Sequence, residues 1–174
     1  AQKKAEAAFK SIKFRTLDML KIQEEFRPEE IDTFFCFGNT LAHLDGPEAI
    51  GRFFASIYKI ICQYGALVVQ VVNYDRILAD NVTSLPTLET ENFSFQRRYE
   101  YDKASHRIRF NTVLTDKQRN CIVEQNETLL YPVSRDELET LYTGAGFGDL
   151  RFYGNESPDP WQPTSPATIA LGRK

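Results

Sequence analysis

The residues best equipped for chemistry fall in three short segments: Leu17-Asp18-Met19-Leu20, Phe37-Gly38-Asn39-Thr40-Leu41-Ala42-His43-Leu44, and Asn73-Tyr74-Asp75-Arg76-Ile77-Leu78. Each sets a carboxylate, amide, phenol or imidazole among apolar neighbours, and each follows a stretch that reads as a strand. Open α/β sheets bind ligands at the carboxyl ends of their strands, so three polar tips at one edge describe a ligand site. Taken singly, each of these residues reads equally well as a turn or cap residue. His43 is either a ligand contact or a histidine held by loop backbone. No G-x-S-x-G elbow presents a nucleophile. His43 and His106 are the only histidines, and neither stands at metal-ligand spacing from a cysteine, which excludes the usual structural zinc patterns. Gly144-Ala145-Gly146-Phe147-Gly148 matches GxGxG, but phosphate binding needs strand, glycines, then helix. Here the helix comes first, so these glycines read as a helix C-cap.

Those segments need elements to hold them. Ile12 to Thr16 alternates apolar and polar residues, predicting a strand with one packed face ahead of Asp18. Ile31 to Phe37 (IDTFFCF) is a nearly continuous apolar run, expected of a strand covered on both faces, and Gly38-Asn39 must turn the chain. Asp45-Gly46-Pro47 supplies a cap and a proline at the first helical position. Ile50, Phe53, Phe54, Ile57, Ile60 and Ile61 then form one apolar stripe. Gly65 reads as the stop after this helix, and Ala66 to Val72 as a second buried strand. Strand, helix, strand at this length predicts a right-handed βαβ unit with parallel strands.

A short amphipathic helix carrying Ala5, Ala8 and Phe9 is expected to open the chain. From Pro86 the pattern changes to three alternating runs with short polar turns, predicting an antiparallel meander inserted at about residues 86–131. Ser134 and Glu137 form a capping box for a helix that ends at Gly144 or Gly146. Two strands, at 149–153 and 168–171, flank a proline-rich loop that holds Trp161. The expectation is one α/β domain over residues 1–174.

The 174 residues, 20.0 kDa, 42% hydrophobic and 26% charged, are globular in composition. A net charge of -3 argues against a partner held by a broad basic field, so no nucleic acid is expected. No apolar run reaches the roughly 18 residues that span a bilayer, and no signal peptide opens the chain. Cys36, Cys62 and Cys121 read as buried thiols of a reducing compartment, which makes the cytoplasm the expected location.

Taken with their order, the segments resemble the class I S-adenosylmethionine-dependent methyltransferases. Within them the chain is most similar to the glycine/sarcosine N-methyltransferase branch, where GNS-x-AHL-like and NYD-x-IL segments occupy these same two strand ends. The resemblance implies a Rossmann-like sheet with helices on both faces and an inserted antiparallel meander, S-adenosylmethionine as cofactor and a small-molecule methyl acceptor. It implies that Asp18 accepts from the adenine amine, that the Met19 backbone reads a ring nitrogen, that Phe37 contributes backbone to the methionyl part, that Gly38 and Asn39 border the place where the cofactor sulfonium and the acceptor meet, and that His43 packs against the cofactor. Asn39, Asn73 and Tyr74 are then the acceptor-facing residues. No catalytic residue is implied, because an unprotonated amine needs no strong base, although Tyr74 or His43 could orient or deprotonate an acceptor. A homo-oligomer is compatible with all of this.

Two departures stand out. The family's glycine-rich loop and its ribose-binding acidic residue have no counterpart here, and the expectation is that they precede Ala1. The arginine that grips the carboxylate in glycine-using members is Val72 here, which argues against glycine as acceptor. The alternative is a catalytically inactive methyltransferase-like binding or structural domain.

Overall fold

The computed structural model describes residues 12–157 and 159–174; the helix expected around Ala5 to Phe9 lies outside them. Its first sheet has the order β1-β2-β8-β7, formed by β1 (Ile31–Cys36), β2 (Ile61–Val72), β7 (Gly148–Tyr153) and β8 (Ala167–Arg173). β1 and β2 run parallel, from Thr33 opposite Ala66 to Cys36 opposite Val69, as the βαβ reading requires. β8 lies antiparallel between β2 and β7.

The crossover helix α1 (Pro47–Ile60) buries Ile50, Phe53, Phe54, Ile57 and Ile60 completely or nearly so, the stripe expected of its spacing. Phe53 meets Phe34 of β1 edge-on at 5.9 Å. Helix α3 (Arg135–Ala145) lies beside α1 and carries both halves of the Ser134–Glu137 capping box. It ends at Gly146, whose φ of 101° few side-chain-bearing residues adopt. Tyr142 of α3 meets Phe54 edge-on at 4.7 Å and its hydroxyl donates to the carbonyls of Leu67 and Ala170, stitching helix to sheet.

Several local expectations change. Residues 12–17 pair with no strand among the described residues; a one-residue alternation describes a strand only where a neighbour supplies the ladder. Gly65 does not stop α1. That helix ends at Ile60, and Gly65 lies within β2, where a Cβ would fall 2.6 Å from the Asp32 carbonyl oxygen, so glycine is demanded by close approach. Gly46 rather than Asp45 occupies the cap position, and the Asp45 carboxylate instead pairs with Arg107. Of the thiols, Cys36 is buried, Cys62 is half-buried and Cys121 is exposed, all free.

The meander is a second sheet, β3-β4-β5-β6, comprising β3 (Ser84–Glu89), β4 (Phe93–Asp102), β5 (Arg107–Asp116) and β6 (Cys121–Leu130). The strand β3 is additional to the three expected and moves the boundary to Ser84. A short helix α2 (Tyr74–Ala79) leads from β2 into it. Tyr99, Tyr101, Ile108 and Phe110 share its inner face, where Tyr99 and Ile108 are buried against the first region. The Tyr131 N–H donates to the Ala42 carbonyl at 2.7 Å, tying the end of β6 to the turn after β1.

Candidate functional site

Because β1 and β2 are parallel, the turns that follow them lie at one sheet edge. After β1 the chain turns through Gly38 and Asn39, both at positive φ (72° and 64°), into a 3-10 turn over Thr40–His43. The Asn39 amide nitrogen donates to the Tyr74 hydroxyl at 2.8 Å, and its carbonyl oxygen accepts from the Val72 N–H at 3.1 Å. One side chain thus joins both strand ends. Gly38 N–H is held by the Gln70 side chain at 2.8 Å, and the Thr40 hydroxyl donates to the Phe37 carbonyl. His43 and Phe37 are exposed at this edge.

Tyr74 is fully buried, and burial pushes its phenol far above the usual range, with the Tyr99 phenol adding to the effect. It therefore stays protonated at neutral pH and can orient an acceptor but not act as a base. Tyr99, from β4, lies near enough to Tyr74 to act on its phenol. Its own phenol is raised by burial, a shift opposed by the positive charges of Arg97 and Arg76.

The three consecutive polar residues after β2 serve three different elements. Asn73, expected to face an acceptor, is instead fully buried and occupied: its amide nitrogen donates to the Pro163 and Ser165 carbonyls at 3.0 and 2.9 Å, and its oxygen caps α2 at Arg76 N. Asp75 accepts from the Arg135 N–H at 2.9 Å and so braces the start of α3. Tyr74, equally buried, bonds Asn39 at the end of β1. An asparagine at a helix start is a cap by default, but its reach to a loop about 90 residues on has no local signal.

Asp18 caps a 3-10 turn (Met19–Glu24), with Oδ1 accepting from Leu20 N at 3.0 Å. The side chain is exposed, so its second oxygen can accept from a ligand. The Met19 N–H, first in that turn, has no partner among the described residues. An acceptor beside a donor suits the amine and ring nitrogen at the edge of an adenine. Met19 packs its side chain against the core. No hydrogen bond or ion pair among the described residues joins Asp18 to the Phe37–His43 turn. Nor do the described residues gather three or more metal-ligating side chains.

No protein-family profile matches the chain. Over 128 residues it is 27% identical to a glycine/sarcosine N-methyltransferase of Aphanothece halophytica, a match covering 73% of this chain and 45% of that protein. The chain thus spans about half the length of the curated relative it matches. An S-adenosylmethionine-dependent methyltransferase from Clostridium acetobutylicum superposes with a TM-score of 0.79 at 6% identity, covering 99% of this chain and 68% of that one. The sugar N-methyltransferase KedS8 from Streptoalloteichus sp. superposes with a TM-score of 0.65 at 14% identity, covering 98% and 65%. The chain has the fold of S-adenosylmethionine-dependent methyltransferases, and a glycine/sarcosine N-methyltransferase is among its sequence relatives.

Proposed function

We propose that the protein transfers the methyl group of S-adenosylmethionine to the amine of a small-molecule acceptor. The observation that carries this reading is the Asn39–Tyr74 hydrogen bond across the ends of two parallel strands. The names of the relatives support it: one is a glycine/sarcosine and another a sugar N-methyltransferase. The reading places no nucleic acid or membrane among the partners and keeps the cytoplasm as the location. No helix among the described residues is long and apolar enough to cross a membrane.

The bound cofactor supplies an electrophilic methyl on a positively charged sulfur. On the cofactor side, Asp18 would accept from the adenine amine, the Met19 N–H would donate to a ring nitrogen, and Phe37, Gly38 and His43 would border the remainder. On the acceptor side, Tyr74 and Asn39 would orient the amine. Transfer would form the N–C bond as the S–C bond breaks, with the amine's proton released to water. Positioning and exclusion of water are the protein's contribution, so no base is required. Val72 offers no charge to a carboxylate beside the reacting nitrogen, which makes glycine a poor acceptor.

The test is binding of S-adenosylhomocysteine by the full-length protein, read as a thermal shift. Asp18→Ala is expected to weaken that binding by about 1–3 kcal/mol through loss of the adenine acceptor. Absence of binding in the wild type would favour the inactive-domain alternative, and an unaffected Asp18→Ala variant would remove Asp18 from the site.

A further inference from the structure

Two arginines stand where the meander meets the strand-end turns. Arg76 is on α2, two residues after Tyr74, and Arg97 is on β4, on the same inner face as Tyr99 and opposite Leu85 and Thr112. Both are partly buried, and the Nε–H of each is withdrawn from solvent with no hydrogen-bond partner among the described residues. Neither takes part in any ion pair of the described residues. Arg97 has one neutral contact, from Nη2 to the Pro86 carbonyl at 2.7 Å, and stacks over Phe95 at 5.9 Å. Both lie close enough to Tyr99 for their charges to act on its phenol.

Positive charge drawn out of water without a counter-charge is unfavourable. Guanidinium groups favour planar anions, to which they donate two N–H groups at once. We propose that Arg76 and Arg97 hold an anionic group of the acceptor, a carboxylate or a phosphate, under the meander beside Tyr99. The proposal rests on the methyltransferase reading and names the acceptor class: an amine whose anionic group stands away from the nitrogen. Such an acceptor is either an amino acid longer than glycine or a phosphorylated amine.

The experiment uses the full-length protein and two probes, inorganic phosphate and acetate, titrated by calorimetry beside S-adenosylhomocysteine. Saturable binding of at least one probe is expected, weakened tenfold or more by Arg76→Gln and by Arg97→Gln, with S-adenosylhomocysteine affinity unchanged. Preference for phosphate over acetate assigns the phosphorylated amine, and the reverse assigns the carboxylate. Arg98→Gln, on the outer face of β4, should bind like wild type. If Arg97→Gln fails to fold, Arg97→Lys keeps the charge but loses the fork, and a several-fold weakening is expected. Failure of both probes to bind the wild type, or equal binding by the arginine variants, overturns the proposal. Probe binding without S-adenosylhomocysteine binding overturns the methyltransferase reading and leaves the anion site standing.

Discussion

In the β1-β2-β8-β7 sheet, Leu67, Val69, Val71 and Ala170 are buried beneath α1 and α3, whereas the strands of the β3-β4-β5-β6 sheet bury only Tyr99, Ile108 and Leu130. In β6 every residue from Cys121 to Glu127 is exposed. The first sheet therefore carries the stability, and a change there costs packing. The second sheet can vary along most of its length at little cost, except where its inner face reaches the strand-end site. A protein that must hold one cofactor and select one acceptor benefits from such a division, because selectivity can drift without loosening the core.

The largest expected effect breaks the first region. Phe54→Ala removes a fully buried ring that packs on Tyr142 and Phe53, and should lower unfolding free energy by about 3–5 kcal/mol in urea titration. A loss below 1 kcal/mol would mean that α1 is not the stability core.

Next is the junction of the two regions. Asn39→Ala should lower methyl transfer to the true acceptor by about 1–3 kcal/mol of transition-state stabilisation while S-adenosylhomocysteine affinity holds, since orienting the acceptor matters most in the transition state. Equal losses in both measurements would move Asn39 to the cofactor side.

A third effect is graded by pH. Burial raises the Cys36 thiol to about 11, and it also raises the phenols of Tyr74, Tyr99 and Tyr142. In the unfolded chain the thiol titrates near its reference value of 9.0. Above that point the unfolded state sheds protons that the folded state retains, so it binds fewer of them and stability falls as pH rises. The urea midpoint should be flat from neutral pH to about 9 and decline from about 9 to 11. A midpoint that rises over this window would contradict the assignment of these groups to the interior.

The smallest effect belongs to the outer strand of the meander. Val123→Ala, at a position 54% exposed, should alter stability by no more than about 0.5 kcal/mol in the same titration. A loss comparable to that of Phe54→Ala would show that β6 is covered in solution and erase the contrast between the sheets.

Much of the framework was legible without coordinates. The α1 stripe, the Ser134–Glu137 box and Gly146 depend on residues within one or two helical turns of each other, and the meander strands depend on an alternation that needs no distant partner. The turn at Gly38-Asn39 was legible for the same reason. The site was legible in outline, as two strand ends that share an edge, but not in the duties of individual residues. Asn73 has the same local appearance as Asn39, yet one anchors the Gln162–Ser165 loop and the other bonds Tyr74.

By itself the amino-acid sequence determined the periodicities, caps and breaks, because these are set by backbone sterics and by neighbours a few positions away. Tertiary structure alone decided which alternating run found a partner, leaving Ile12 to Thr16 unpaired, and that Gly65 must pass beside the Asp32 carbonyl. It also decided that Asp45 meets Arg107 rather than capping α1, and that Arg76 and Arg97 stand near one phenol without a counter-charge among the described residues. These outcomes bring together elements that are far apart in the chain. Spacing cannot encode such pairings, since they exist only once burial of the apolar faces has brought the elements together.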